Sequence, residues 1–497
     1  MKTRYALLIV SLVLGCSSCT DFLDESNPSN FTQQNYFRTA EHARSVVNSI
    51  YQDLRYSANG DYGGNPYFMT DFQTGLAGTK VSQNVNINNI RLVVNNSDNE
   101  YSKSWWNYTY RAIANANLAI TYIPGIEMDN STKKKCLGEA YFLRAYNYFN
   151  LVRLFGSIPL VLVPVDASSP ELYPQQASVE DVYNQIISDL KEAEKSELPW
   201  VDESGKVTMA TIKSVLANVY LTMAGYPLEK GKEYYSLAAS KAKEVIDNGS
   251  YKLFSSYGDL HNIEMENKGE HLFMIQYQSG IVESPFQSLY LPYNMDISYY
   301  STETGSIVVL DEFINTYEKG DKRTEEGEFY YTQFTSNANR EEIVKFGAYH
   351  IFKFFDMDAN LNTAKSSLNY PLLRYADVLL MYAEAQNEAD GSPSADAYSC
   401  VNQVRQRANL KGLSGLSQDE FRHAVWKERY HELSFENKIW FDMARTRKVL
   451  NLTTGKFDNY VGHKFTYGPA LSERELLFPI PTNEIKNNKN LKQNDGY

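Results

Sequence analysis

Aromatic and amide side chains concentrate in two irregular stretches of the 497-residue chain. Tyr, with 38 residues, outnumbers Phe, with 24, although a buried Tyr must satisfy its hydroxyl group. Flat rings can stack on the C–H faces of pyranose rings, while Asn, Asp and Gln side chains pair with sugar hydroxyl groups. The sequence therefore predicts sugar-type recognition. The candidate residues are Tyr67, Phe72, Asn96, Asp98 and Trp105 in residues 57–105, and Tyr290, Tyr293, Asn294, Tyr299 and Tyr300 in residues 286–300.

Trp105 is the leading stacking platform among these candidates. The alternative is a core side chain, because Trp105 directly precedes a predicted buried helix. For each single Tyr, ordinary half-exposed packing is the alternative to ligand contact. The prediction therefore depends on the clustering of rings and amides and not on any one residue.

Catalytic signatures are weak in this sequence. Glycoside hydrolysis needs only two carboxylates roughly 5 to 10 Å apart, and the chain has 60 Asp and Glu residues, so a hydrolase stays open as an alternative. The 7 His residues form no H-E-x-x-H motif, and no G-x-S-x-G elbow occurs. The acidic stretch 321–328 lacks the ligand pattern of a calcium loop and is expected to be a solvated turn. We predict no catalytic residue, no cofactor and no metal site.

The charge balance excludes one class of partner. Against 60 acidic residues the chain has 48 Lys and Arg, which gives a formal net charge of -12 at pH 7. A nucleic-acid partner requires a basic face that displaces counterions, so none is expected. Hydrophobic residues make up 43% of the chain, which is enough for a large core and is not typical of disorder.

The N-terminus predicts export and lipid anchoring. Two basic residues precede an apolar run over residues 5–14, about half the length that a membrane-spanning helix needs. Small residues then precede Cys16 and Cys19, which resembles the lipobox of bacterial lipoproteins. We predict that Cys19 is acylated, with Cys16 as the alternative. A Cys-x-x-Cys redox pair is disfavoured, because such a pair gains its low thiol pKa at a folded helix N-terminus.

Helical periodicity dominates the rest of the chain. Apolar residues recur at spacings of three and four, which predicts a mainly α-helical fold whose helices pair in units of tetratricopeptide size. Cys136 and Cys400 fall in such helices, so buried thiols are expected rather than a disulfide. The predicted helices cover residues 40–54, 106–123, 134–154, 179–193, 208–223, 234–247, 375–388, 395–407, 421–435 and 439–450.

Two long stretches interrupt this pattern. Residues 57–104 are rich in Gly and Asn and are predicted to form a long loop with short strands. Residues 270–370 contain strand-like segments at 271–277 and 328–334, separated by glycine turns. Because binding residues often lie on loops that a rigid scaffold holds, both stretches are candidates for function.

A series of sequence blocks resembles the SusD/RagB family of outer-membrane nutrient-binding lipoproteins. The blocks occur in the family's order from the lipobox to the last residue. They are residues 19–24 (CTDFLD), 106–110 (WNYTY), 139–156 (EAYFLRAYNYFNLVRLFG), 369–388 (NYPLLRYADVLLMYAEAQNE), 401–408 (VNQVRQRA), 428–436 (ERYHELSFE), 440–442 (WFD), 478–485 (FPIPTNEI) and 493–497 (QNDGY).

The resemblance implies a SusD-like fold, mainly α, with four tetratricopeptide-like helix pairs and an irregular, loop-rich, ligand-facing half with short strands. It also implies a lipid-anchored glycan-binding protein at the cell surface that delivers an oligosaccharide to a SusC-like TonB-dependent outer-membrane barrel. A tetratricopeptide-type envelope adaptor is the alternative, although it leaves the aromatic loops unexplained. An α-helical glycoside hydrolase is less favoured.

The family blocks themselves predict structural roles. Glu428, Arg429 and Glu432 share one helix at spacings that favour buried or half-buried ion pairs, and Trp440 with Phe441 is expected in the core. We predict the following organisation: a signal peptide over 1–18, a lipidated tether over 19–36, an N-terminal helical region over 37–260 with ligand-facing loops in 57–105, and a C-terminal region over 261–497 with an irregular insert at 270–370.

Overall fold

Long α-helices form one half of the protein, and short helices and strands form the other. The computed structural model describes residues 36–55, 67–300 and 303–497. The helices are α1 (Ala40–Asp53), α2 (Tyr67–Phe72), α3 (Val85–Arg91), α4 (Glu100–Tyr122), α5 (Asn130–Phe155), α6 (Val179–Glu194), α7 (Met209–Ala224), α8 (Lys232–Asn248), α9 (Phe286–Tyr290), α10 (Asp311–Ile314), α11 (Tyr375–Asp390), α12 (Ala395–Arg407), α13 (Gln418–Leu433), α14 (Ile439–Thr446) and α15 (Thr482–Asn487).

The strands are short. They are β1 (Ala77–Gly78), β2 (Ile158–Pro159), β3 (Gln176–Ala177), β4 (His271–Ile275), β5 (Val308–Val309), β6 (Tyr330–Thr335), β7 (Ile343–Ile351), β8 (Tyr370–Arg374), β9 (Lys448–Leu450) and β10 (Phe457–Asn459). The predicted signal peptide and both candidate lipidation sites, Cys16 and Cys19, lie outside the described residues.

Four helix pairs follow one another as an array. Helix α1 packs on α4, α5 on α6, α7 on α8, and α11 on α12, while contacts of α4 with α5, α6 with α7 and α8 with α11 join each pair to the next. This arrangement confirms the predicted mainly α-helical fold. The free thiols Cys136 and Cys400 are both buried in it, as predicted.

Polar side chains at the helix starts explain where most of the array helices begin. Each accepts a hydrogen bond from a backbone N–H of the first turn, which otherwise has no partner. Asn99 caps α4 in this way, so the helix begins at Glu100 and not at the predicted residue 106. The other capping residues of array helices are Thr39, Asp129, Ser178, Thr208 and Ser394, and Ser417 caps α13 in the same way.

The chain leaves the array twice and returns each time to a neighbouring helix. Residues 54–99 lie between α1 and α4, and residues 249–374 lie between α8 and α11. The two excursions meet in an antiparallel sheet of order β1-β5-β7-β6, in which Ala77 pairs with Val309, and Val309 with Tyr349. Together they form the loop-rich half. The prediction of a loop with short strands over 57–104 is partly wrong, because α2, α3 and the start of α4 also lie there.

A buried ion-pair network joins β8, α12 and α13. Arg374 of β8 donates to Glu432 of α13 at 3.2 Å. Arg407 donates to Glu432 at 2.7 Å, and Arg323 donates to Glu428 at 2.7 Å. The prediction that the 428–432 block forms buried ion pairs is therefore confirmed, but the partners lie on other segments and not within the helix, as Arg429 also shows by pairing with Asp377 at 2.8 Å. The solvated turn predicted at 321–328 is wrong at its start, because Asp321 is buried and pairs with Arg323 at 2.7 Å.

Sequence periodicity also misplaced the end of α14. The helix predicted over 439–450 stops at Thr446, because Arg447 adopts a left-handed conformation with φ of +56° and the chain continues as β9. Trp440 and Phe441 are in the core, as predicted. Among the described residues, no helix combines the length and apolar character needed to cross a membrane.

Candidate ligand-binding face

The structure buries four of the predicted ligand contacts. Trp105 and Tyr67 have 0% exposure, and their rings meet edge to face with centroids 5.1 Å apart. Phe72 and Tyr290 are also buried. A ring without an exposed face cannot stack on a sugar, so the prediction that these residues are platforms is wrong. Trp105 lies inside α4, where helix geometry turns its ring into the core.

The remaining aromatic candidates lie together in residues 291–300, here called the 291–300 loop. Tyr293 and Tyr299 are the exposed rings, with 50% and 55% exposure. Asn294 is exposed beside Tyr293, and Tyr300 is half-buried. The loop therefore offers two open aromatic faces and an amide within seven residues.

Glu303 holds the backbone of this loop. Its buried carboxylate accepts hydrogen bonds from the backbone N–H groups of Met295, Asp296 at 2.9 Å, Ile297 at 2.7 Å and Ser298 at 3.1 Å. Burial raises the pKa of Glu303, while the four N–H donors act in the opposite direction. One carboxylate thereby satisfies four successive donors, which fixes the loop as a rigid turn.

The loop also makes backbone contacts to two other segments. The side chain of Asn360 donates from Nδ2 to the carbonyl of Ile297 at 2.9 Å. The backbone carbonyl of Asn360 accepts from the N–H of Tyr299 at 2.9 Å. The N–H of Asn337 donates to the carbonyl of Asp296 at 2.6 Å. These bonds compensate for the left-handed backbone of Asp296, whose φ is +53°.

A close backbone approach fixes the position of Tyr293. Gly305 has a φ of +56°, and a Cβ atom there would lie 2.7 Å from the Cβ of Tyr293. Only glycine fits at this point. The N–H of Gly305 donates to the carbonyl of Leu291 at 2.8 Å, so the entry to the loop is tied to the segment that follows it.

A separate apolar cluster forms the base of the loop. Met295 and Tyr300 pack against it, so the side of the loop that carries them faces inward and Tyr293 and Tyr299 remain outside. The cluster consists of Leu291, Ile297, Tyr331, Phe346, Phe352 and Phe355.

The segments that contact the loop also carry exposed apolar side chains. Met357, with 48% exposure, precedes the Asn360 that binds the loop, and Ile343, with 52%, pairs with Thr335 at the end of the hairpin that carries Asn337. Sequence reasoning missed these residues, as well as Glu303 and Asn360. A lone aliphatic or acidic residue gives no signal until the fold shows what it contacts.

Asn96 and Asp98 lie elsewhere in the structure. Both are exposed in the turn before α4, where the Asn96 side chain accepts from the N–H of Asp98 at 3.0 Å. Ser97 between them accepts from the N–H of Thr482 at the start of α15 at 2.9 Å. The structure thus places this pair beside the C-terminal segment and the aromatic candidates beside Asn337 and Asn360.

Asp71 is an unusual acid beneath the loop-rich half. It is buried, its Oδ1 accepts from the N–H of Asn437 at 3.3 Å, and its Oδ2 has no hydrogen-bond partner among the described residues. Burial raises the pKa of Asp71 to about 8. Tyr290 and Tyr370 are buried nearby, and a negative charge on Asp71 would raise the pKa of their hydroxyl groups.

Comparison with known proteins agrees with this architecture. A family model described as the SusD family matches residues 285–497, and one described as "Starch-binding associating with outer membrane" matches residues 21–221. The crystal structure of a SusD superfamily protein from Parabacteroides distasonis is 38% identical, covers 94% of this chain and 100% of that chain, and has a TM-score of 0.89. This chain belongs to the SusD/RagB family.

Other members of the SusD/RagB family resemble the chain over its whole length. SusD-like protein P2 of Formosa agariphila is 29% identical over 99% of this chain and 100% of its own length. The starch-binding protein SusD of Bacteroides thetaiotaomicron is 22% identical over 100% of both chains. The family resemblance read from the sequence blocks is therefore confirmed.

Proposed function

We propose that this SusD-family protein binds an oligosaccharide at the 291–300 loop. The observation that carries the proposal is the pair of exposed rings, Tyr293 and Tyr299, on a loop whose backbone Glu303 holds rigid. Rigid aromatic platforms lose little conformational entropy when a sugar stacks on them. The starch-binding family description and the starch-binding relative support a glycan as the ligand class.

The protein binds this glycan without altering it. The proposed binding face contains rings, amides and aliphatic side chains. Within the 291–300 loop, Asp296 is the acid, and it is exposed. Glycoside hydrolysis needs two carboxylates that flank one bond. Time-resolved chromatography of the glycan with the purified protein checks this point, and shortened products over hours would contradict it.

The proposal places the protein at the outer membrane, where it delivers the glycan to a SusC-like TonB-dependent barrel. The family description, "associating with outer membrane", supports the location. Extraction in mild detergent should recover the native protein together with a much larger β-barrel, through an interface at or above the ~1,200 to 2,000 Å² usual for stable pairs. Recovery only as a free monomer would favour an independent binding protein.

Membrane attachment is proposed to depend on Cys19. Cys19→Ala should move the protein from the membrane fraction to the soluble fraction, because acyl chains contribute ~0.8 kcal/mol per buried CH₂. Cys16→Ala is the matched control and should leave the protein attached. The opposite pattern would assign the lipid to Cys16.

Affinity gel electrophoresis against a panel of polysaccharides tests the binding function. One polysaccharide should retard the wild-type protein, and Tyr299→Ala should weaken that binding by ~1 to 3 kcal/mol, the scale of one large apolar side chain. Tyr173→Ala is the matched control, because Tyr173 is 58% exposed and lies outside the 291–300 loop. If no polysaccharide retards the protein, or if Tyr173→Ala has the same effect as Tyr299→Ala, the proposed face is wrong.

A further inference from the structure

A cavity of about 410 Å³ opens beside helix α4 of the array and shares no residue with the 291–300 loop. One face of α4 lines it, the chain that runs from β2 to β3 forms one side, and α15 with the residues after it forms the other. Its volume lies in the range of ligand sites. This cavity is here called the α4 cavity.

Apolar side chains dominate the lining and the rim of the α4 cavity. Tyr110 and Ile113 line it from α4, and Val161 and Val165 line it from the chain between β2 and β3. The rim carries large apolar side chains that are open to solvent, namely Val163 with 47% exposure, Leu172 with 42% and Tyr173 with 58%. Exposed apolar residues that gather around one cavity are typical of an interaction surface, whereas single ones are common on any surface.

Hydrogen bonds hold the walls of the α4 cavity in place. Asn117 of α4 is buried, and its Nδ2 donates to the carbonyls of Val161 at 3.0 Å and Val163 at 3.3 Å. The hydroxyl group of Tyr110 donates to the carbonyl of Pro159 at 2.9 Å. On the other side, Asn488 donates from Nδ2 to the carbonyl of Pro174 at 2.8 Å. The cavity is therefore preformed, which lowers the entropy cost of binding.

The charged side chains that line the α4 cavity are both acidic. They are Glu171, which is exposed, and Glu484, which is half-buried. Neither forms an ion pair within residues 36–55, 67–300 and 303–497. Burial raises the pKa of Glu484, while a hydrogen bond from the side chain of Trp106 acts in the opposite direction. The cavity thus combines apolar walls with negative charge that no lining cation balances.

Charge complementarity indicates what kind of occupant fits the α4 cavity. An apolar group beside a cation matches both the walls and the two carboxylates. The predicted tether over residues 19–36 does not match, because it has three acids and no Lys or Arg. A protein segment supplies an apolar and a basic side chain on adjacent residues, and its flanking residues can cover the exposed rim.

We propose that the α4 cavity docks a segment of a partner protein that inserts one large apolar side chain and carries a Lys or Arg beside it. The apolar side chain packs against Tyr110 and the valines, the cation meets Glu484, and Leu172 and Tyr173 contact the flanking residues. This surface is separate from the proposed glycan site, and the proposal does not rest on glycan binding. Either one can fail without the other.

Saturation-transfer NMR with three capped dipeptides and the purified protein tests the proposal. Ac-Trp-Lys-NH₂ should bind, and both Ac-Trp-Glu-NH₂, which reverses the charge, and Ac-Gly-Lys-NH₂, which lacks the apolar group, should bind at least about tenfold more weakly.

Two variants locate this binding. Ala114 is an exposed residue of α4 that lines the cavity, so Ala114→Trp should fill the cavity and abolish binding of Ac-Trp-Lys-NH₂. Glu484→Gln should weaken that binding about tenfold, because the charged contact is lost. Glu197→Gln, at an exposed acid that pairs with Lys134, is the matched control and should leave it unchanged. If thermal unfolding shows that Ala114→Trp is not folded, Glu484→Gln decides the test.

Four results would overturn this assignment. The first is equal binding of Ac-Trp-Lys-NH₂ and Ac-Trp-Glu-NH₂, or of neither. The second is wild-type affinity for Ac-Trp-Lys-NH₂ in Glu484→Gln. The third is a concentration-dependent dimer in sedimentation that Ala114→Trp abolishes, which would assign the cavity to a second copy of this chain. The fourth is polysaccharide retardation that is lost in Tyr173→Ala and kept in Tyr299→Ala, which would assign the cavity to the glycan.

Discussion

One buried carboxylate of the helical array and one of the loop-rich half have different roles. In the array, Asp189 of α6 pairs with Arg144 of α5 through two bonds of 2.7 Å and so joins two helices. In the loop-rich half, no arginine of the described residues pairs with Glu303, which instead accepts four backbone N–H groups of one loop. The difference teaches that array acids fix the packing of elements, whereas Glu303 fixes the shape of a surface.

Aromatic residues show the same contrast. Rings on array helices, such as Trp105 and Tyr183, are buried because helix periodicity directs one stripe toward the core. In the loop-rich half, Tyr293 and Tyr299 remain exposed. Hydrogen bonds from the loop backbone to Glu303 and Asn360 hold the loop in place, so its shape does not depend on burying these two rings. If Tyr293 and Tyr299 contact the ligand as proposed, mutations should therefore change stability and ligand binding separately.

Trp105→Ala should give one of the two largest losses of stability. Emptying a fully buried Trp site costs ~3 to 5 kcal/mol, through lost burial and the cavity left behind. Denaturant unfolding measures the loss. Glycan affinity of the protein that remains folded should equal that of the wild type. Wild-type stability with weaker glycan binding in Trp105→Ala would instead support the prediction that Trp105 is a stacking platform.

Asp189→Ala should destabilise the array on a similar scale. It leaves the buried Arg144 guanidinium without its carboxylate, which costs about 3 to 5 kcal/mol. Glu197→Ala, which removes an exposed partner of Lys134, is the matched control and should cost about 1 kcal/mol or less. Equal effects of the two variants in denaturant unfolding would contradict the structural role assigned to the buried pair.

Glu303→Ala should have a smaller effect on stability, about 1 to 3 kcal/mol, because the released N–H groups can bind water. Hydrogen exchange should accelerate at residues 295–298 while the array amides keep their protection, and polysaccharide retardation should be lost. Glu326→Ala is the control, since Glu326 also accepts backbone N–H groups, from Thr332 and Gln333. If Glu303→Ala still binds the polysaccharide, the 291–300 loop is not part of the ligand-binding face.

Asp71→Asn tests a buried acid of the loop-rich half whose Oδ2 has no hydrogen-bond partner among the described residues. Burial raises the pKa of Asp71 to about 8, so the folded protein keeps its proton at a pH where the unfolded chain has lost it. Wild-type stability should therefore fall as pH rises from about 4 to about 8, by at most about 1.4 kcal/mol per pH unit. Asp71→Asn should remove this slope and be the more stable form at neutral pH.

A paired acid is the control for that pH profile. Glu436 is also buried, yet the charges of Arg374 and Lys353 outweigh desolvation and lower its pKa to about 2. Its contribution to stability is present above the unfolded value and is lost as pH falls toward 2. Asp71→Asn should leave this loss of stability at low pH unchanged. If the pH at which stability is lost shifts in Asp71→Asn, the titrations of the two carboxylates are coupled.

The sequence allowed the array to be predicted far better than the proposed ligand-binding face. Periodicity at three and four residues is local, so the bounds of α6, α11 and α12 agreed closely with prediction. The start of α4 was missed because Asn99 lies in an Asn-rich run that is typical of loops, yet it acts as a helix cap. That error placed Trp105 on a loop, whereas it lies inside a helix.

The exposure of individual loop rings could not be read from sequence. Tyr290 and Tyr293 are three residues apart and equally aromatic, but one is buried in the core and the other is half exposed. The difference depends on Glu303, Gly305 and Asn360, which become neighbours only in the fold. The clustering of rings therefore pointed to a segment, 286–300, that does carry exposed rings, without predicting which of its rings are accessible.

The two excursions from the array have a consequence for how this family can change. Because residues 54–99 and 249–374 each begin and end at helices that already touch, either segment can lengthen or shorten without moving the array. Closing a loop twice as long costs only about 0.6 kcal/mol more in chain entropy. The contact of β1 with β5 is the one sequence-distant pairing between the two segments in the described sheets. A new ligand specificity can thus be acquired by exchanging surface segments as a matched pair, with the helical scaffold inherited unchanged.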